Sequence, residues 1–380
     1  MRTVKNAFLS NFARFILLGW CWGGGLSNVA AAEFSAGVAA YKRGDFVGAI
    51  EVFSGLAAKD DARAQFALGL VYDNGEGVKV DRVLALHWYT KSASQGYAKA
   101  QYNLALLYQD RGSSTVDADL ARTWFVRAAE AGNPDGVARL RGYAEGGDAA
   151  AQFRLGRMYF RALGVPRNEA EGFQWITRAA EAGHLEACYA LGVMYENGRG
   201  AKRSYLDAAH WYQVASERRF AAADYNLARL YRLGRGVMRD LERSQRLYER
   251  SAEAGLIEAQ LSLAMLYEAG QGLPRDSGKA LHWYRLAAAA GNPDAQINLA
   301  FLYAEGIGVA KDRIESYAWY TLAAAAGHPL AAGNLTLVQE GLSSDQIAAA
   351  RNRATNLVQP STMARVAQSS AGRSSLIAGP

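Results

Sequence analysis

The chain has 380 residues, half of them hydrophobic and 21% charged, a balance that excludes a disordered or collagen-like protein. Its net charge of +6 sits mostly at the ends: Arg2, Lys5 and Arg14 at the start, and Arg351, Arg353, Arg365 and Arg373 after Asp345. The body between is close to neutral, which excludes the clustered basic face that a nucleic-acid partner requires.

Residues 1–32 read as a secretory signal peptide. A basic start is followed by the short apolar core Phe15–Trp22 and by Ala30-Ala31-Ala32 as a cleavage site before Glu33. The apolar run is short and runs into glycines, so no transmembrane span is expected after cleavage. An uncleaved interfacial anchor is the alternative. Cys21 follows Trp20, where a lipid-attachment site needs a small residue. The expected location is periplasmic or secreted. Removal of the segment leaves Cys188 alone, which rules out an internal disulfide and a cysteine zinc site.

Residues 33–61 contain "AGVAAYKRGDFVGAIEVFSGLA", with Tyr41, Gly44, Asp45, Phe46, Ala49 and Phe53. The stretch resembles a tetratricopeptide unit and predicts an N-terminal helix pair. From residue 62 a pattern takes over that returns every 36 residues, apart from one step of 51 between Tyr108 and Tyr159: "YDNGEGVKVD" at Tyr72, then "YENGRGAKRS" at Tyr195, "YRLGRGVMRD" at Tyr231, "YEAGQGLPRD" at Tyr267 and "YAEGIGVAKD" at Tyr303. A glycine-rich loop with a lysine suggests a phosphate cradle, but such a loop occurs once per nucleotide site. Here it recurs and the lysine moves or vanishes, so it predicts a turn in an array of stacked units.

Before each aligned tyrosine comes a segment such as "AQFALGLVY", "ACYALGVMY" or "AQINLAFLY". After each loop comes one such as "ALHWYTKSASQG" or "GFQWITRAAEAG". Both carry apolar residues at three- and four-residue spacing, so each unit is predicted as two helices joined by a loop. The closing glycine stops the second helix. Gly69, Gly156 and Gly192 recur inside the first helices although each costs about 1 kcal/mol relative to Ala, which predicts a close backbone contact there. A single pair cannot bury its apolar faces, so neighbours must stack.

This pattern resembles the Sel-one-like repeat family, related to tetratricopeptide repeats. The resemblance covers seven units and implies an all-α fold, a right-handed α-solenoid of stacked helix-turn-helix repeats. Repeats one and two are expected over 62–134 and repeats three to seven over 150–329, with an added helix, a half-repeat, over 135–149. The fourth unit ends in Arg218-Arg219 instead of Ala-Gly, which either lengthens its helix or marks a contact. Capping helices are expected over 330–358, the last capped by Ser343 or Ser344, and a disordered tail over 359–380.

The search for chemistry returns little. His87, His210 and His282 share one repeat position, and no histidine pair has the four-residue spacing of a helical zinc site, so no metal, cofactor or catalytic residue is expected. By the resemblance, the first helix of each unit lines a concave face. Its candidate partner-binding residues are Phe66, Tyr102, Phe153, Arg157, Phe160, Arg161, Tyr189, Tyr225, Arg229 and Arg232. Arginines and aromatics are over-represented at binding hot spots. The expected function is a non-catalytic scaffold of the bacterial envelope that binds other proteins or peptides. The resemblance adds envelope polysaccharide machinery as a partner class. It leaves open a secreted protein acting on host cells and a β-lactam-binding or hydrolysing enzyme; relatives of the last kind carry paired cysteines in every repeat, which this chain lacks.

Overall fold

The structure, a computed structural model, describes residues 28–111 and 115–357. Residues 1–27 of the expected signal peptide and residues 358–380, with the expected tail, lie outside the described residues. Among the described residues there are 19 α-helices and no strand. They fall into two compact units.

The first unit runs to Gly146 and includes the loop Ala162–Pro166. It holds α1 (Asn28–Lys42), α2 (Phe46–Ala57), α3 (Ala62–Asn74), α4 (Arg82–Ser94), α5 (Ala98–Arg111), α6 (Thr115–Glu130) and α7 (Pro134–Glu145). Ala30, Ala31 and Ala32 lie at the start of α1. The helix α7 stands where an added helix is expected; Asn133 caps it and Leu140 and Ala144 bury it.

The second unit holds α8 (Ala149–Arg161), α9 (Glu169–Glu181), α10 (Leu185–Asn197), α11 (Tyr205–Glu217), α12 (Ala221–Leu233), α13 (Leu241–Glu253), α14 (Ile257–Ala269), α15 (Ser277–Ala289), α16 (Pro293–Glu305), α17 (Arg313–Ala325), α18 (Ala331–Gln339) and α19 (Ser344–Leu357). From α8 to α18 each helix packs on the next, and α19 packs on α17. Ser343 caps α19: its hydroxyl accepts the Gln346 N–H at 3.3 Å, and Gln346 accepts the Ser343 N–H at 2.9 Å. One continuous core runs from Phe153 to Ala331.

The loops are turns, as their repetition predicts. Gly234 is left-handed at φ 64° and donates its N–H to the Leu230 carbonyl, ending α12. A Cβ at Gly236 would meet the Tyr205 carbonyl at 2.2 Å, so the loop lies flat on the first turn of the preceding repeat's second helix. These glycines cradle main chain.

The helical glycines face a different partner from the one expected. A Cβ at Gly69 or Gly192 would strike the ring of Tyr89 or Tyr212, at 2.4 and 2.6 Å. Close backbone approach occurs at Gly156, where a Cβ would lie 2.9 Å from the Gly172 carbonyl oxygen. The ring is the commoner reason for the glycine because a fully buried tyrosine projects from the second helix onto that spot.

Arg218-Arg219 does not lengthen α11, which stops at Glu217 after 13 residues, as its neighbours do. Arg219 takes the left-handed position at φ 59°, and Arg218 donates to the Gly183 carbonyl one repeat back, so the pair marks a contact.

A candidate interaction face

The second-helix tyrosines explain the residue that follows the aligned tyrosine in several repeats. Tyr212 donates to Glu196 at 2.7 Å and Tyr284 to Glu268 at 2.6 Å. Arg232 donates to the Tyr248 hydroxyl. Burial first, then the adjoining carboxylate, pushes the phenols of Tyr212 and Tyr284 far up, so they remain donors. In repeat three the second helix offers Ile176, without a hydroxyl, and the matching residue is Phe160, buried in the same core.

Four candidate site residues are therefore corrected in role. Phe66 and Phe153 are buried: Phe66 packs between Tyr89 and Tyr97 at 5.9 and 5.2 Å, and Phe153 against His184 at 4.8 Å. Phe160 fills the space over Gly172, and Arg232 serves Tyr248. Tyr102, Tyr189 and Tyr225 occupy the same register as Phe66 and are half-buried, each with its ring on a second-helix ring at 5.4–5.9 Å. This column wedges each first helix against its second; it is not a free row.

Arg157, Arg161 and Arg229 are half-exposed. Arg157 lies 5.8 Å from the Phe153 ring centroid. Arg229 reaches Glu196 at 3.5 Å and the Asn226 side chain at 3.4 Å, and Asn226 in turn donates to the Tyr189 hydroxyl at 3.5 Å. The first helices of repeats four and five therefore adjoin through side chains. Arg157 and Arg161 stand on α8, and Arg229 and Arg232 on α12, with α10 between.

The register two residues before the aligned tyrosine is the informative one. It carries Arg157, Val193, Arg229, Met265 and Phe301, and Met265 and Phe301 are 50% and 46% exposed. The same interval leads on to Leu337 on α18, 68% exposed. The sequence reading picked out the arginines of this register and missed its apolar members. Following the 36-residue period past Arg229 would have found them.

Other groups are held structurally. His87, His210 and His282 each pack edge-on against the adjoining tryptophan, at 5.1, 5.1 and 5.0 Å. Cys188 is buried, and burial pushes its thiol up, away from the reactive thiolate. Among the described residues no group of three potential ligands is placed to hold a metal ion, and no helix is long and apolar enough to cross a membrane.

A model of the Sel1 repeat matches residues 62–97, 98–133, 149–184, 185–219, 221–256, 257–292 and 293–328. The chain belongs to the Sel1 repeat family. Among solved structures, this Sel1 repeat chain is similar to a Sel1 repeat protein from Oxalobacter formigenes, with 29% identity, a TM-score of 0.50, and coverage of 87% of this chain and 93% of that one. It also matches a protective antigen of uropathogenic Escherichia coli with an SLR fold, at 25% identity over 95% and 97% of the two chains and a TM-score of 0.29. Yeast Tom70 matches at 14% identity over 96% and 74%, with a TM-score of 0.39. No curated protein matches. Sel1 and tetratricopeptide-like repeat proteins are generally protein-interaction scaffolds, and the stacked helix pairs place this chain in that architecture.

Proposed function

We propose that this protein is a non-catalytic interaction scaffold of the bacterial cell envelope, exported by residues 1–32, that holds protein partners along the exposed stripe of its first helices. The observation that carries this reading is the stripe itself: Arg157, Arg229, Met265 and Phe301 share one register, and packing leaves all four at least partly open to solvent. Repeat arrays use such a continuous surface for binding. Envelope polysaccharide machinery is the partner class that this reading favours.

The test is photo-crosslinking in the native cell, with the probe at Val193, Met265 or Phe301 and at Glu242 on the second-helix side as control. A discrete partner captured from the first three and not from Glu242 is the expected result. Equal capture at all four, or none, would sink the assignment of the face. Fractionation, with mass measurement of the mature N-terminus, tests export separately.

A further inference from the structure

We infer that the stripe of the second unit docks one extended segment of a partner, acidic where it meets repeats three to five and apolar where it meets repeats six, seven and the cap. The inference rests on the scaffold reading and names the chemistry that the scaffold recognises.

The stripe changes character along its length. The helix α8 carries Arg154, Arg157 and Arg161, and α12 carries Arg229, with Glu196 of α10 beside it. Beyond them α14, α16 and α18 contain no lysine or arginine at all. In place of cations the register presents Met265, Phe301 and Leu337, one per repeat and each about half exposed or more. Core packing does not account for exposed side chains of this size. A run of them on successive first helices and the cap is the kind of apolar surface that marks an interaction site.

The spacing limits the shape of the occupant. Helices in contact lie about 10 Å apart. A segment in the polyproline II conformation has three residues per turn and a rise of about 3.1 Å, so it advances roughly 9 Å per turn and offers one side chain per repeat. From Arg157 to Leu337 is five repeats, which about fifteen such residues span. Charge selects the partner: the arginine end calls for carboxylates. The chain's own residues 358–380 contain Arg365 and Arg373 and no acid, so they complement the apolar end only.

The test uses the full chain and labelled synthetic peptides of fifteen residues, read by fluorescence anisotropy. One has Glu at every third position in its first half and Leu at every third in its second; another has the reverse order; the control interleaves the same residues. One blocked order should bind at least tenfold tighter than the interleaved control. Arg157→Gln with Arg229→Gln should weaken it at least tenfold and flatten its salt dependence. Met265→Ser with Phe301→Ser should weaken it as much and leave the salt dependence in place. Equal binding of blocked and interleaved peptides, or indifference to either pair of substitutions, would overturn the inference. So would a crosslink from the probe at Phe301 to residues 358–380 or to a second copy of the chain. Thermal melting of each variant guards against misfolding. A partner captured in the cell together with no preference among peptides would leave the scaffold reading standing and remove only this chemistry.

Discussion

The joints between repeats can be compared within the second unit. Where repeat six begins, Gln260 donates its side-chain amide to the Ala252 carbonyl at 3.1 Å; where repeat seven begins, Gln296 does the same to Ala288 at 3.2 Å. Each carbonyl ends a second helix and also takes the N–H of the following left-handed glycine at 3.0 Å. Where repeat five begins, the matching residue is Asp224, which has no proton to give. Arg250 supplies the donor instead, reaching the Ser216 carbonyl at 3.0 Å while gripping both oxygens of Asp224, its Nε at 2.7 Å. The array thus demands a donor at one carbonyl and accepts it from different parts of the chain. It follows that Arg250 is a joint and no part of the binding stripe, whereas Arg157 and Arg229 belong to the stripe.

Removing Arg250 should have the largest effect on that comparison. Asp224 is 1% exposed, and Arg250→Leu leaves its carboxylate buried and unpaired. The expected cost is about 3 kcal/mol, the low end for such a loss because water reaches the Arg250 head. Adding Asp224→Gln, which restores the glutamine form of the joint, should recover most of it. Hydrogen exchange across α11 and α12 is the proper readout, since repeat arrays need not unfold as one. A cost below about 1 kcal/mol would show that the ion pair is not what closes the joint.

Gln260→Ala should cost less, about 1 kcal/mol. The Ala252 carbonyl keeps the Gly255 N–H, and the substitution also removes the glutamine Oε1, which is buried without a partner. A smaller effect of opposite sign is expected where repeat four begins. There Cys188 stands in the glutamine position, its sulfur 3.5 Å from the Ala180 carbonyl. A thiol is a weak donor. Cys188→Gln should therefore stabilise α10 by about 0.5–1 kcal/mol, measured as slower exchange of its amides. No gain would mean that the pocket is shaped for sulfur.

The array was legible in the sequence because period and helical spacing are local signals. Stacked pairs, turn-like glycine loops and the Ser343 cap all follow from residues close together in the chain. The site was less legible. Phe66 and Phe153 look like a recognition row, yet helix packing requires a large residue at that register as much as binding does, and only burial separates the two. Asp224 and Arg250 are 26 residues apart, and nothing local in the sequence links them. Met265 and Phe301 look like core residues in any helical pattern until their exposure is known.

His184, at the start of the same irregular joint, sharpens the comparison through pH. It caps α10, its Nδ1 accepting the Ala187 N–H at 3.3 Å, and Asn133 and Asn292 cap α7 and α16 in the same way. An accepting nitrogen must be unprotonated. Burial lowers the imidazole pKa and outweighs the opposing Glu186; Arg154 and Arg218 push it down as well. The unfolded chain therefore binds more protons than the folded one just below its ordinary value of about 6.5. The contribution of His184 is fully present above that pH and is lost as pH falls through the lower folded value. His184→Asn should remove this part of the slope and leave stability above pH ~7 little changed. The measurement is the difference between parent and variant in α10 exchange from about pH 7.5 down to 5; a slope that survives the substitution would place the proton sensitivity on another group and return His184 to a packing role against Phe153.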